Sequence, residues 1–187
     1  MTIIEDGRGS GMSAEVCGEH RLRTSSVSVT PEHYVNHSHQ DAYNMLYRET
    51  PNVANACFAY IQNTSDTDMV IEGFICRVNG TIGNLEIIEV YLNDNGTPIT
   101  YSNNTPSSLY ATSRKSAQGV FLTGANVTGL TSGDIIERYY LTASNTSTNI
   151  NFNQDVIIPK GGVISFRAAN SGAQVSGTIN FNYHNEF

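Results

Sequence analysis

Three histidines, His33, His37 and His39, stand within a seven-residue stretch beside Glu32 and Asp41. On a helix, His33 and His37 would share one face at i, i+4, a spacing that lets two imidazoles hold a Zn²⁺ or Ni²⁺ ion. His39 lies six residues beyond His33 and joins them only if the helix ends first. Zinc sites take three or four protein ligands, and the sequence fixes no third one here. The trio is therefore expected to be ordinary polar histidines at a turn, with no metal and no other cofactor. The alternating glycines of DGRGSG, residues 6–11, suggest a phosphate cradle, but no strand precedes them and no GK[ST] follows. They read as a flexible arm. NDNG, residues 93–96, lacks the alternating acidic ligands and distal Glu of a calcium loop. It reads as a type I′ hairpin turn, because Asn95 and Gly96 both tolerate positive φ. Asp66 and Asp68 in SDTD read as a solvated loop between strands.

Catalysis finds little purchase. No GxSxG elbow, HExxH helix or Cys-His signature occurs. Glu86 and Glu89 fall on opposite faces of an alternating strand, so they cannot flank one substrate bond. No enzymatic activity is expected. Cys17, Cys57 and Cys76 are odd in number and widely spaced, which reads as reduced thiols. Seven N-x-[ST] sequons, at Asn36, Asn63, Asn79, Asn95, Asn103, Asn126 and Asn145, read as turn-forming asparagines.

The composition says what must position these residues. The chain has 187 residues, of which only 14% are charged, against about 25% in an ordinary soluble domain. Asn 20, Ser 18, Thr 18 and Gly 16 supply the polarity instead. Ile 16 and Val 13 outnumber Leu 8, so strands are well supplied and helices are not. A net charge of −7 argues against coating nucleic acid, which needs clustered cations. The longest apolar run, residues 56–61, is far short of the ~20 residues that span a bilayer, and no membrane association is expected. The start, MTIIEDGRGS, has neither a cationic n-region nor an apolar h-region, so no secretory signal is expected.

Residues 1–24 are expected to form an extended N-terminal arm. From residue 25 to 187, short period-two runs between turn signals predict one all-β domain, an antiparallel sandwich or barrel. Val27 and Val29 open the pattern, and Thr30 and Pro31 can start at most one short helix. Strands are predicted at 57–62, 69–78, 85–92, 97–101, 119–123, 135–142, 150–152, 156–158, 163–169 and 175–183. In the last of these, Val175, Ile179, Phe181 and Tyr183 share a buried face with Gly177, and Ser176, Thr178, Asn180, Asn182 and His184 share a wet one. Pro159 and Gly161-Gly162 are placed in the turn of the preceding hairpin.

The opening IEDGRGSG, followed by AEV and RLRTSSVSV, resembles the start of accessory virion proteins of tailed bacteriophages. AYN at residues 42–44 and IPKGG-x-ISFRAANSG at 158–172 are similar to those proteins too. The likeness covers roughly the first 45 and last 35 residues, and none of its motifs is catalytic. It implies a jelly-roll-like β-sandwich, made in the host cytoplasm, that binds the outside of a phage capsid and decorates or cements it. The implied partner is the major capsid protein or another virion protein, and analogy with three-fold capsid sites implies a homotrimer. In the arm, Ile3 and Ile4 are candidate anchors, and Arg8, Arg21 and Arg23 are candidates to pair with an acidic capsid surface. The alternative is a neck, tail or fibre component contacting host glycans through tyrosines such as Tyr101, Tyr110, Tyr139 and Tyr140.

Overall fold

A computed structural model of the chain describes residues 3–5, 13–15, 39–79, 86–141 and 145–184. The chain forms two compact units, Met1–Thr30 and Pro31–Phe187. In the first, β1 (Ile3–Glu5) runs antiparallel to β2 (Ser13–Glu15), with Ile4 opposite Ala14. The opening strand at Val27 and Val29 and the short helix expected after Thr30 fall on residues 21–38, outside the described ones. No helix among the described residues is long and apolar enough to cross a membrane.

The second unit is a β-sandwich. Its strands are β3 (Ala42–Glu49), β4 (Ala56–Asn63), β5 (Asp68–Asn79), β6 (Glu86–Leu92), β7 (Gly96–Ile99), β8 (Ser102–Asn103), β9 (Ser107–Ser108), β10 (Gly119–Leu130), β11 (Asp134–Leu141), β12 (Ser147–Ile158), β13 (Val163–Ala168) and β14 (Gln174–His184). One sheet has the order β12-β5-β14-β3-β9, and the other β11-β6-β13-β4-β10-β7, with β8 on β10. The antiparallel pairs are nested: β6 with β11, β5 with β12, β4 with β13 and β3 with β14. Successive pairs alternate between the sheets. A long antiparallel ribbon rolled up on itself gives this order, which is the jelly roll. Strands β7 to β10 are an insertion at the far end of the ribbon, between β6 and β11.

Alternation fixes which face meets the core. Along β14, Val175, Ile179, Phe181 and Tyr183 are buried as expected. The opposite face is not wet: Ser176, Thr178 and Asn180 are half-buried and Asn182 is buried, with β14 lying between β5 and β3. Phe74 meets Phe166 edge-on at 5.2 Å, and Phe121 stacks on Phe181 at 5.3 Å, tying the two sheets together. The apolar run at 56–61 is β4, buried on both faces. Phe58 and Ile61 point into the main core, while Cys57 and Tyr60 join Leu122, Val127 and Val163 in a second cluster.

Two turn assignments need correction. Asn95-Gly96 does not close a hairpin: β6 pairs with β11 and β13, and β7 pairs with β10. Asn93 and Gly96 have the positive φ values, 58° and 128°, and the segment swings the chain out of one pairing into another. Pro159 to Gly162 is a tight turn, with the Gly162 N–H bonded to the Pro159 carbonyl at 2.8 Å. It carries the chain from β12 in one sheet to β13 in the other, so the flanking strands are not hairpin partners.

Candidate functional site

The residues singled out from sequence do not converge. Ile3 and Ile4 lie on β1, and Arg8, Arg21, Arg23, His33 and His37 fall outside the described residues. His39 leads into the sandwich, where its carbonyl accepts a hydrogen bond from Lys115 Nζ at 2.6 Å. Tyr139 faces the core and meets Phe74 edge-on at 5.4 Å, whereas Tyr140, its neighbour on β11, is exposed. Tyr101 and Tyr110 belong to the insertion. The four tyrosines thus form no common sugar platform.

Three other features stand out. The first is a polar pocket of about 360 Å³ at one pole of the sandwich. The start of β3 gives it Asp41 and Tyr43, the β4–β5 loop Ser65, Asp66 and Thr67, the approach to β10 Lys115, Ser116 and Gln118, and the end of β14 Tyr183. Lys115 Nζ pairs with Asp41 Oδ2 at 2.8 Å, and Lys160 pairs with Asp66. The Lys160 pairing holds the Asp66 carboxyl below its ordinary value. Tyr183 donates its hydroxyl to the Gln118 carbonyl at 2.8 Å. The loop wall is built by Asn63, whose buried amide donates to the Thr67 and Ile158 carbonyls, each at 2.9 Å, and accepts from the Ser65 N–H at 2.9 Å. The sequon asparagine at 63 is therefore an internal brace and not a surface residue.

The second is a charged network at the larger sheet. Asp94, from the NDNG segment, is buried and accepts hydrogen bonds from Arg167 Nη2 at 2.5 Å, Ser165 Oγ at 2.6 Å and the Ser132 N–H at 2.7 Å. The Arg167 guanidinium lies 5.0 Å from the centre of the Tyr91 ring. Glu89, also buried, accepts from the Tyr91 hydroxyl at 2.7 Å and from Arg138 Nε at 2.7 Å. Both acids are ion-paired structural groups. Burial pushes the nearby Cys57 thiol up to about 12, so it stays protonated at neutral pH and is a poor nucleophile.

The third is an open corner. Among the described residues, strands β11 and β12 are the outer strands of their respective sheets. Between them lies a groove of about 500 Å³ lined by Leu92, Ile136, Tyr139, Phe152, Val156 and Ile157, together with the charged Glu137 and the polar Asn151. Ile157 is 54% and Tyr140 59% exposed, with Ile135 and Ile136 also on the surface. Exposed isoleucines on an outer strand are what a solitary sandwich normally covers, and on β11 they stand among the exposed charges of Asp134, Glu137 and Arg138.

The shielded tyrosine hydroxyls and the Cys57 thiol imply a pH response. Burial pushes the hydroxyls of Tyr43, Tyr91 and Tyr139 up to about 12, and a hydrogen bond to Asp41 or Glu89 adds to this for the first two. When unfolded, tyrosine ionises near 10 and the Cys57 thiol near 9. The unfolded chain therefore loses protons first. The stability these groups contribute is whole below about pH 9 and is lost as pH rises toward 12. The urea midpoint, followed from about pH 8 to about pH 12, should fall steeply above pH 9 together with a rise in tyrosinate absorbance. A midpoint that stays level would contradict this.

Among the described residues, no three of His, Cys, Asp and Glu lie together as a metal site would require. No family model matches the chain, and a search of curated proteins finds no match to it.

Proposed function

We propose that this protein is a virion structural protein that binds the outside of a tailed-phage capsid and decorates or cements it. The observation that carries this reading is the corner between β11 and β12, where, among the described residues, Ile135, Ile136 and Ile157 are exposed. The jelly roll supports it, since capsid domains use this architecture. So do the resemblance at the two ends of the chain and the organisation into an N-terminal unit and a sandwich. The partner is the major capsid protein or another virion protein, and the bound form is a symmetric oligomer, a trimer by analogy with three-fold shell positions. The arm, through Ile3, Ile4, Arg8, Arg21 and Arg23, and the corner act as two linked contacts, so losing either sharply lowers retention.

Co-sedimentation with purified capsids tests this. Deletion of residues 1–24 should abolish binding while leaving a folded sandwich. Ile136→Asp with Ile157→Asp should lower occupancy about tenfold or more, because apolar contact area is replaced by charge at the docking face. Unchanged occupancy for both variants would sink the reading. The polar pocket favours a second reading, a neck, tail or fibre component that contacts host glycans, because jelly rolls also serve as lectin domains. A glycan array without hits would exclude it.

A further inference from the structure

We propose that the polar pocket formed by Asp41, Tyr43, Ser65, Lys115, Ser116 and Tyr183 is a subsite for a neutral polyhydroxylated ligand, a single hexose unit. This rests on the second of the two readings above, glycan contact, and not on the capsid location, and it deepens that reading by naming the ligand class and the atoms that meet it.

Four observations point to this ligand. The volume, about 360 Å³, lies at the small end of ligand sites, which suits one ring rather than an extended chain. The charges cancel locally: Asp41 is matched by Lys115, and Asp66 by Lys160. A pocket so balanced offers no net attraction to an anion or a cation. Its lining instead mixes groups that donate and accept, as a ring of hydroxyls requires. Tyr183 spends its proton on the Gln118 carbonyl, which leaves its oxygen lone pairs for a ligand hydroxyl. Asp41 Oδ1 receives only a long contact of 3.5 Å from the Tyr43 hydroxyl and has acceptor capacity to spare. Lys115 Nζ donates to the His39 carbonyl and to Asp41, so its third proton remains for the ligand. Finally, the site is preorganised. Asn63 braces the β4–β5 loop from beneath, and the Thr67 N–H bonds to Ser65 Oγ at 3.1 Å, so little ordering is required on binding.

Saturation-transfer NMR on the full chain tests the assignment, with glucose, galactose, mannose and N-acetylglucosamine as probes at millimolar concentration. At least one sugar should show transfer. Asp41→Asn should weaken its binding about tenfold, because a charged acceptor is lost. Ser116→Trp, at an exposed position on the rim, should block binding by filling the pocket while leaving the thermal midpoint unchanged. Transfer that persists in both variants would overturn the pocket assignment and leave the glycan reading standing. No transfer from any of the four sugars would also overturn it. In that case hits on a glycan array would keep the broader reading, and an empty array would remove both.

Discussion

Asp94→Ala should destabilise the sandwich by about 3–5 kcal/mol, the cost of breaking a buried ion pair from one side. The Asp94 side chain has no solvent exposure, and that of Arg167 retains only 11%. Removing the carboxylate leaves the guanidinium without its principal partner and strips the Ser165 hydroxyl and the Ser132 N–H of their acceptor. The loss reaches beyond one contact, since Asp94 ties the β6–β7 connection to β13 and to the β10–β11 connection. Combining Asp94→Ala with Arg167→Met should recover part of the loss, because the uncompensated charge is then gone. Urea unfolding measures both effects. A single-variant cost below about 1 kcal/mol would contradict this and show that water reaches the pair. The exposed Lys160–Asp66 pair serves as the control, and removing it should leave the midpoint unmoved within error.

Gly177→Ala should cost about 2–3 kcal/mol, the upper part of the range for overpacking a closed core. Gly177 sits mid-strand on β14, between Val175 and Ile179 on the buried face, where an apolar side chain would otherwise be expected. A Cβ there would overlap the Ile75 carbonyl oxygen on the neighbouring strand and crowd the Tyr47 hydroxyl at 2.9 Å. That hydroxyl donates to the same Ile75 carbonyl at 2.9 Å, so the space the glycine vacates is filled by a partly buried hydrogen bond. Alanine forces the strands apart or breaks that bond. Tyr47→Phe in the Gly177→Ala background should then add little, because both changes disturb one interaction. Thermal and urea unfolding of the two single variants and the double variant decide it. Additive losses would contradict the shared cause.

These two sites mark where the sequence was legible and where it was not. The alternation of β14 announced its buried face residue by residue, and the apolar run at 56–61 announced a strand without a wet face. β3 gives no clean period-two signal because Leu46, on its outer face and 62% exposed, interrupts the alternation of Tyr43, Met45 and Tyr47. β12 looked like two strands because a break in register between Asn151 and Val156 splits its apolar pattern. At Asn95-Gly96 the local turn chemistry pointed to a hairpin. Long-range pairing overrode it, and the adjacent Asp94 has its ion-pair partner 73 positions further along the chain. The pocket was invisible for the same reason: residues 41, 65, 116 and 183 meet only because the ribbon rolls up. The period-two runs between turn signals and the wealth of β-branched residues were enough for the class of fold. Which strands neighbour which is a property of the closed structure.

The central claim is a location, and imaging tests it most directly. Particles assembled with and without this chain should be compared by electron microscopy. The account predicts that the intact particles carry extra density on the outer face of the head, at symmetry-related positions, sized for sandwiches of 20.4 kDa each. Heads lacking it would be bare at those positions. Identical heads, with the difference confined to the neck, tail or fibres or absent altogether, would contradict it.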